Sequence, residues 1–213
     1  MSTAEATAYY SGSEGGVADR SGLLGLAERL TPKEGWDSFV LMLAAVGVAA
    51  FTVREGDWVD TPGLFAIVLW SALAGLILAK ARAPWPLLHV AGLAVGTVAV
   101  VLQGTTIVEG SSTADQVREV WSRLNAFYEA ATDGGISTDL FPFSLALLAM
   151  AWLLGYLSTF YLFRNTNVWV GLVLAAVAMM TNLSFLPDGY GTRFFAFILV
   201  ALLLVARITS SSS

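Results

Sequence analysis

Six apolar stretches, separated by polar segments, dominate the pattern of this 213-residue chain. Each is close to the length that a helix needs to cross the hydrocarbon core of a bilayer, which is roughly 20 apolar residues. Their expected bounds are about 36–53, 62–79, 86–102, 140–163, 168–186 and 194–208. The pattern therefore predicts an all-α membrane protein, a six-helix transmembrane bundle over residues 36–208.

A further periodic segment lies in the long polar stretch between the third and fourth spans. Its apolar residues recur with the 3.6-residue period of a helix, and charged residues take the other side. This predicts an amphipathic outside helix at about 113–133, with Thr113 as its N-cap three residues before Gln116 and Gly134-Gly135 as its end. Its apolar side either packs over the outer mouth of the bundle or contacts a partner or the membrane surface. The candidate contact residues are Val117, Val120, Trp121, Leu124, Phe127 and Tyr128.

The two ends of the chain differ from the bundle. Residues 1–35 are rich in Ser, Gly, Ala and Glu, and we expect a cytoplasmic tail that is disordered or lies on the membrane surface. Residues 209–213 form a Ser-rich end directly after the sixth span. No basic start leads into an apolar run near Met1, so the pattern does not predict a secretory signal peptide.

Basic residues predict the orientation of the spans. With the N-terminus in the cytoplasm, the inner segments hold seven Lys and Arg residues and the outer segments hold four. Because cytoplasmic loops are enriched in Lys and Arg, this favours cytoplasmic N- and C-termini in a multi-pass protein of the inner membrane of the cell. Tryptophans near span ends are typical of the headgroup level of a bilayer. They are Trp36, Trp58, Trp85 and Trp169.

Small residues recur at four-residue spacing within the spans. In lipid no hydrophobic drive acts between helices, so close backbone approach at small residues holds a bundle together. We expect these positions to serve packing within the bundle, with a homodimer seam through Gly92 and Gly96 as the alternative. The candidate packing residues are Ser71, Gly75, Gly92, Gly96, Gly171 and Ala175.

Composition limits the chemistry of the chain. It has no Cys and a single His, so it offers no thiol nucleophile and no thiolate metal site. His89 lies near a span end without evident partner ligands, and no metal or cofactor site is predicted. The isolated pair Lys80 and Arg82 is the only basic cluster, so no nucleic-acid partner is predicted. We expect the chain by itself to be non-catalytic.

Ionisable side chains are absent from the middle of every predicted span. Ion-coupled transporters place such groups at membrane depth, so this pattern argues against proton-coupled transport. In a small transporter or permease subunit, which is one alternative, uncharged polar groups such as Tyr156, Tyr161, Thr181 and Asn182 would line a path. A structural subunit of a larger membrane complex is another alternative. The preferred hypothesis is an anchor or scaffold, for which we expect no polar cavity across the bundle.

Four segments carry a family resemblance, namely residues 120–124, 139–143, 161–169 and 193–197. They resemble the N-terminal membrane domain of bacterial transglutaminase-like membrane proteins of the TgpA type. In that family a multi-span portion precedes an extracytoplasmic papain-like domain with a Cys, His and Asp triad. No catalytic residue of the family is carried over to this chain, because it has no Cys. The resemblance implies an anchor that positions an extracytoplasmic transglutaminase-like domain or partner, with the lipid bilayer as its surroundings.

Overall fold

A computed structural model of the protein describes residues 35–135, 137–185 and 191–211. The described residues form helices and no strand. A single 3-10 turn, Thr105–Ile107, follows the third helix. The helices are α1 (Trp36–Glu55), α2 (Leu64–Lys80), α3 (Trp85–Gly104), α4 (Thr113–Thr132), α5 (Phe141–Asn165), α6 (Val168–Leu183) and α7 (Gly191–Ser211).

Helix length separates the apolar helices into two groups. Four of them, α1, α3, α5 and α7, are long and apolar enough to cross a membrane. The other two, α2 and α6, are strongly apolar but have only 17 and 16 residues. At 1.5 Å per residue such helices are about 25 Å long, somewhat shorter than a hydrocarbon core of about 30 Å. The chain is therefore an all-helical protein with the helix lengths and composition of a multi-pass membrane protein.

The structure describes the C-terminal end of the chain through Ser211 but not the first 34 residues. Residues 1–34 of the expected tail lie outside the described residues. At the other end α7 continues through Ser211, so the first part of the expected Ser-rich end is helical. The hydroxyls of Thr209 and Ser210 donate to the carbonyl oxygens of Val205 and Arg207, at 2.9 Å each. These bonds satisfy the hydroxyls on the helix itself, which allows polar residues to extend α7.

The central helix of the bundle is α5. It packs against α1, α2, α3 and α6, while α1 also packs against α2, α6 and α7. The edges of the bundle are formed by α3 and α7. Half of the apolar window of α5 is buried, against 22% for α3 and 17% for α7. In a membrane the exposed apolar sides of the two edge helices face lipid.

The helix ends divide into two faces. On one face Arg193 at the start of α7 binds Glu55 at the end of α1, with N–O distances of 2.7 and 3.1 Å. This side also carries α4, and we call it the α4 face. On the opposite face, which carries the α2–α3 loop, Arg207 of α7 lies 3.8 Å from Asp37 of α1. These contacts show that α1 and α7 are antiparallel neighbours.

Small residues bring α2 and α5 into close contact. A Cβ atom added to Gly75 of α2 would lie 2.5 Å from the carbonyl oxygen of Tyr156 and would overlap the Thr159 hydroxyl. On α5, a Cβ atom added to Gly155 would overlap the hydroxyl of Ser71. The Thr159 hydroxyl donates across the contact to the Ala72 carbonyl, at 2.9 Å. The two helix backbones therefore meet at small residues on both sides.

Gly92 and Gly96 of α3 also lie at a contact within the chain. A Cβ atom on Gly92 would be 2.5 Å from the ring of Tyr156, and one on Gly96 would overlap the ring of Trp152. The Trp152 indole N–H donates to the Gly92 carbonyl, at 3.1 Å. Rings of α5 fill this edge of α3, which leaves no room there for a second copy of the helix.

The last two candidate packing residues lie on α6. A Cβ atom on Gly171 would be 2.8 Å from Met42 of α1 and from Ser158 of α5. Ala175, one turn further along, is fully buried. This side of α6 faces both α1 and α5.

Candidate functional site on the α4 face

The N-terminus of α4 is fixed by two serines and an aspartate. Ser112 is the N-cap, and its hydroxyl oxygen accepts the Asp115 N–H at 3.2 Å. The carboxylate of Asp115 in turn accepts the hydroxyls of Ser111 and Ser112, at 2.7 and 2.8 Å. The predicted N-cap Thr113 is therefore wrong by one residue, because the acidic residue three positions on completes the cap with Ser112. The hydrogen bond from Ser111, followed by the one from Ser112, holds the pKa of Asp115 below its ordinary value of 3.8.

Two glycines end α4, as the sequence predicts. Gly134 has a φ of +72°, a conformation that glycine adopts without steric cost. The next amide, of Gly135, donates to the Ala130 carbonyl at 2.8 Å. This bond satisfies one of the last carbonyls of the helix.

Val120 and Leu124 attach α4 to the bundle. Val120 is only 1% exposed, and Leu124 is partly buried against the core. The helix lies near the end of α3, the 3-10 turn and α5. The other four candidate contact residues are exposed. They are Val117, Trp121, Phe127 and Tyr128.

Arg123 ties α4 to the start of α5. Its Nε donates to Glu119 at 3.0 Å, and a terminal nitrogen lies 3.8 Å from Asp139. The guanidinium carbon also lies 5.5 Å from the ring centroid of Phe141. Asp139 itself accepts the Phe141 N–H at 3.0 Å. The position of α4 over the bundle is thus set by both apolar packing and a charged contact.

Two adjoining open depressions lie on the α4 face, at the α1–α2 loop and the 3-10 turn, with volumes of about 460 and 320 Å³. They share four wall residues, Asp57, Val59, Asp60 and Ile107. The first extends to Arg54, and the second extends to Arg123 and the start of α5. Both depressions lie at loops and helix ends.

Asn182 of α6, a candidate for a transport path, is hydrogen-bonded within the protein. Its side-chain N–H donates to the Thr52 carbonyl at 2.6 Å, and its oxygen accepts the Trp58 indole N–H at 2.8 Å. The side chain is 7% exposed. It joins the ends of α1 and α6 to the α1–α2 loop. The neighbouring Thr181 is exposed on the outer surface of α6.

Tyr156 of α5, another candidate for a transport path, is buried against α3. Its hydroxyl donates to the Leu88 carbonyl at 3.2 Å and lies 3.0 Å from Nδ1 of His89. Aromatic rings, including those of Phe160 and Tyr161, surround the imidazole. In the described ranges no group of His, Asp or Glu side chains is placed to hold a metal ion.

Similarity to known proteins gives no further indication of function. Comparison of the chain with models of protein families, with curated proteins and with solved structures finds no match.

Proposed function

We propose that this chain is a non-catalytic membrane anchor that holds an extracytoplasmic domain or partner protein, of the transglutaminase-like class, against α4. The observation that carries the proposal is the exposed apolar side of this helix. Trp121 and Tyr128 are 67% and 69% exposed although they lie on the same side as buried Val120. Exposed apolar patches mark interaction surfaces, and Trp and Tyr supply much of the binding energy of protein interfaces.

The attachment of α4 supports this role. Caps at both ends and the contacts of Arg123 hold the helix in one position over the bundle. A surface that is already ordered loses little conformational entropy when a partner binds. The helix is therefore suited to present its aromatic side chains to a folded domain.

The polar groups of the bundle favour an anchor over a transporter. Tyr156 and Asn182, two candidates for a transport path, are buried and bonded to backbone carbonyls of neighbouring segments. A path for a polar solute needs such groups to face water. The two depressions described above lie instead at loops and helix ends on the α4 face.

The proposal includes six membrane crossings with both termini in the cytoplasm. The two shorter helices, α2 and α6, each run from one face of the bundle to the other. A helix a few Å shorter than the bilayer core is accommodated by local thinning or by flanking residues that reach the interface. Trp169 at the start of α6 is 62% exposed and suits such an interface.

Site-specific photo-crosslinking in cells tests the partner role of α4. A photoreactive amino acid replaces Trp121 or Tyr128, and the matched control positions are Ser122 and Ala126 on the opposite side of the helix. We expect a protein adduct from positions 121 and 128 but not from 122 and 126. Mass spectrometry should identify the adduct as an extracytoplasmic domain with Cys, His and Asp. Adducts with lipid alone, or equal adducts from both sides, would contradict the proposal.

The genomic reading frame tests whether the partner is part of the same polypeptide. We expect it to continue past Ser213 into a further span and an outside domain that bears Cys, His and Asp. The further span is required because the proposed C-terminal side of α7 is cytoplasmic. A stop codon at Ser213 would exclude a domain attached after α7, and the expected continuation would then be wrong.

A further inference from the structure

Three cations lie together on the face opposite α4. Lys80 is the last residue of α2, and Arg82 follows in the α2–α3 loop. Arg164 lies near the end of α5. It donates hydrogen bonds to the backbone carbonyls of the three alanines before, between and after these two residues. The acceptors are Ala79 at 3.2 Å, Ala81 at 2.7 Å and Ala83 at 3.3 Å.

The described residues offer this cluster no counter-charge. No carboxylate of the described ranges forms an ion pair with Lys80, Arg82 or Arg164. The carboxylate described on this face, Asp37, lies 3.8 Å from Arg207 instead. Like charges on neighbouring residues repel one another, so an anion bound near them is favoured.

The surroundings of the cluster indicate the level of lipid headgroups. Trp85 begins α3 directly after the basic loop and is 65% exposed. Exposed Trp side chains are enriched at membrane interfaces. Further along α3 the side chains of Leu87 and Val90 are also exposed, at 62% and 63%. A molecule with an anionic head and an apolar chain fits this order of groups.

We propose that Lys80, Arg82 and Arg164 bind the phosphate of an anionic phospholipid, whose acyl chains lie along the exposed side of α3. The guanidinium and ammonium groups supply charge-assisted hydrogen bonds to the phosphate oxygens. The hydrogen bonds of Arg164 to the loop backbone fix its position, so this side chain is already ordered before the lipid binds. The site lies away from α4 and does not depend on its partner.

Lipid binding to the purified full chain tests this site. Native mass spectrometry measures how much phosphatidylglycerol and how much phosphatidylcholine the protein retains. The test variant is K80Q/R82Q, and the control variant R54Q/R118Q removes the same charge from the α4 face. Arg164 stays in place because its hydrogen bonds support the loop. Melting curves in phosphatidylcholine nanodiscs check that both variants are folded, and R82Q alone replaces the double variant if that does not fold.

We expect the wild-type chain to prefer phosphatidylglycerol. K80Q/R82Q should bind it roughly 30-fold more weakly, since each basic residue near an anionic surface contributes roughly fivefold. R82Q alone should lose roughly fivefold, and R54Q/R118Q should bind like wild type. Equal retention of the two lipids, equal losses in the test and control variants, or displacement of phosphatidylglycerol by millimolar inorganic phosphate would each overturn the proposal.

Discussion

At the scale of single residues, the small size of the side chains between α2 and α5 decides how closely these helices approach. The four-residue spacing of Ser71 and Gly75 is enough to predict a packing edge on α2. Their counterparts on α5 are Gly155 and Thr159, which are not among the candidate packing residues predicted from the sequence. The same four-residue spacing of small residues is present there, and it is the signal that identifies this second edge.

Substitution of Gly75 by Ala should destabilise the bundle. The added Cβ atom would lie 2.5 Å from a carbonyl oxygen of α5, which is backbone and cannot rotate away. Overpacking of this kind costs about 1–3 kcal/mol. Thermal unfolding in detergent, followed by intrinsic tryptophan fluorescence, measures the loss.

Gly47 of α1 provides the matched control for Gly75. Among the described residues, no atom of another helix lies within 4 Å of a Cβ atom added there. Gly47→Ala should leave the unfolding temperature unchanged or raise it, since alanine favours a helix over glycine by about 1 kcal/mol. Equal effects of the two substitutions would show that the α2–α5 contact is looser than described.

At the scale of elements, one part of the apolar side of α4 packs on the bundle and the other part is exposed. Periodicity predicts the helix and its apolar residues correctly, because both follow from local hydrogen bonding and a 3.6-residue repeat. The division depends on the ends of α3 and α5, which contact only the part of that side around Val120 and Leu124. No local pattern distinguishes these residues from Trp121 and Tyr128.

Val120→Ala should loosen α4, whereas Trp121→Ala should not. Val120 is 1% exposed and Trp121 is 67% exposed. Removing two buried carbons costs about 1.6 kcal/mol, at roughly 0.8 kcal/mol each. Hydrogen exchange of the α4 amides should therefore accelerate in Val120→Ala and stay as in wild type in Trp121→Ala. Faster exchange in Trp121→Ala would show that Trp121 also packs on the bundle.

The first turn of α4 should weaken in acid. The pKa of Asp115 is lowered in the folded chain by hydrogen bonds from Ser111 and Ser112. Because the pKa is lowered on folding, the carboxylate stabilises the turn at pH values above its ordinary pKa of 3.8. This stabilisation disappears as the pH falls below that value. NMR exchange of the Gln116 amide between about pH 6 and pH 3 measures the effect. Asp115→Asn should weaken the turn at neutral pH and remove its acid dependence.

At the scale of the whole molecule, charge is distributed unequally between the two faces. Within the described ranges, the face opposite α4 carries four cations and one carboxylate, which are Lys80, Arg82, Arg164, Arg207 and Asp37. The α4 face carries four arginines and nine carboxylates over the same ranges. This asymmetry accords with the proposed orientation, although the counts of cations alone are equal and the preference for a cytoplasmic N-terminus comes from residues 1–34.

Substituted cysteines should place the two faces on opposite sides of the membrane. The chain has no native Cys, so each introduced thiol is labelled without background. A membrane-impermeant maleimide added to intact cells should label Asp60→Cys and Ser122→Cys. It should label Arg82→Cys and Asn165→Cys only after the membrane is permeabilised.

One pair of these cysteines tests the shorter helix α2. Asp60 and Arg82 flank α2, and labelling of both from the same side would mean that α2 does not cross the bilayer. Labelling of Arg82→Cys and Asn165→Cys from outside, with Asp60→Cys and Ser122→Cys protected, would reverse the proposed orientation.

The sequence by itself determined the helical membrane class, the approximate helix positions and the amphipathic character of α4. These properties depend on runs of apolar residues and on a local repeat, which any helix of that composition shares. Only the tertiary structure decided that rings of α5 fill the edge at Gly92 and Gly96, and that Arg164 joins Lys80 and Arg82. Such contacts join residues far apart in the chain, and they depend on which sides of the helices meet when the bundle packs.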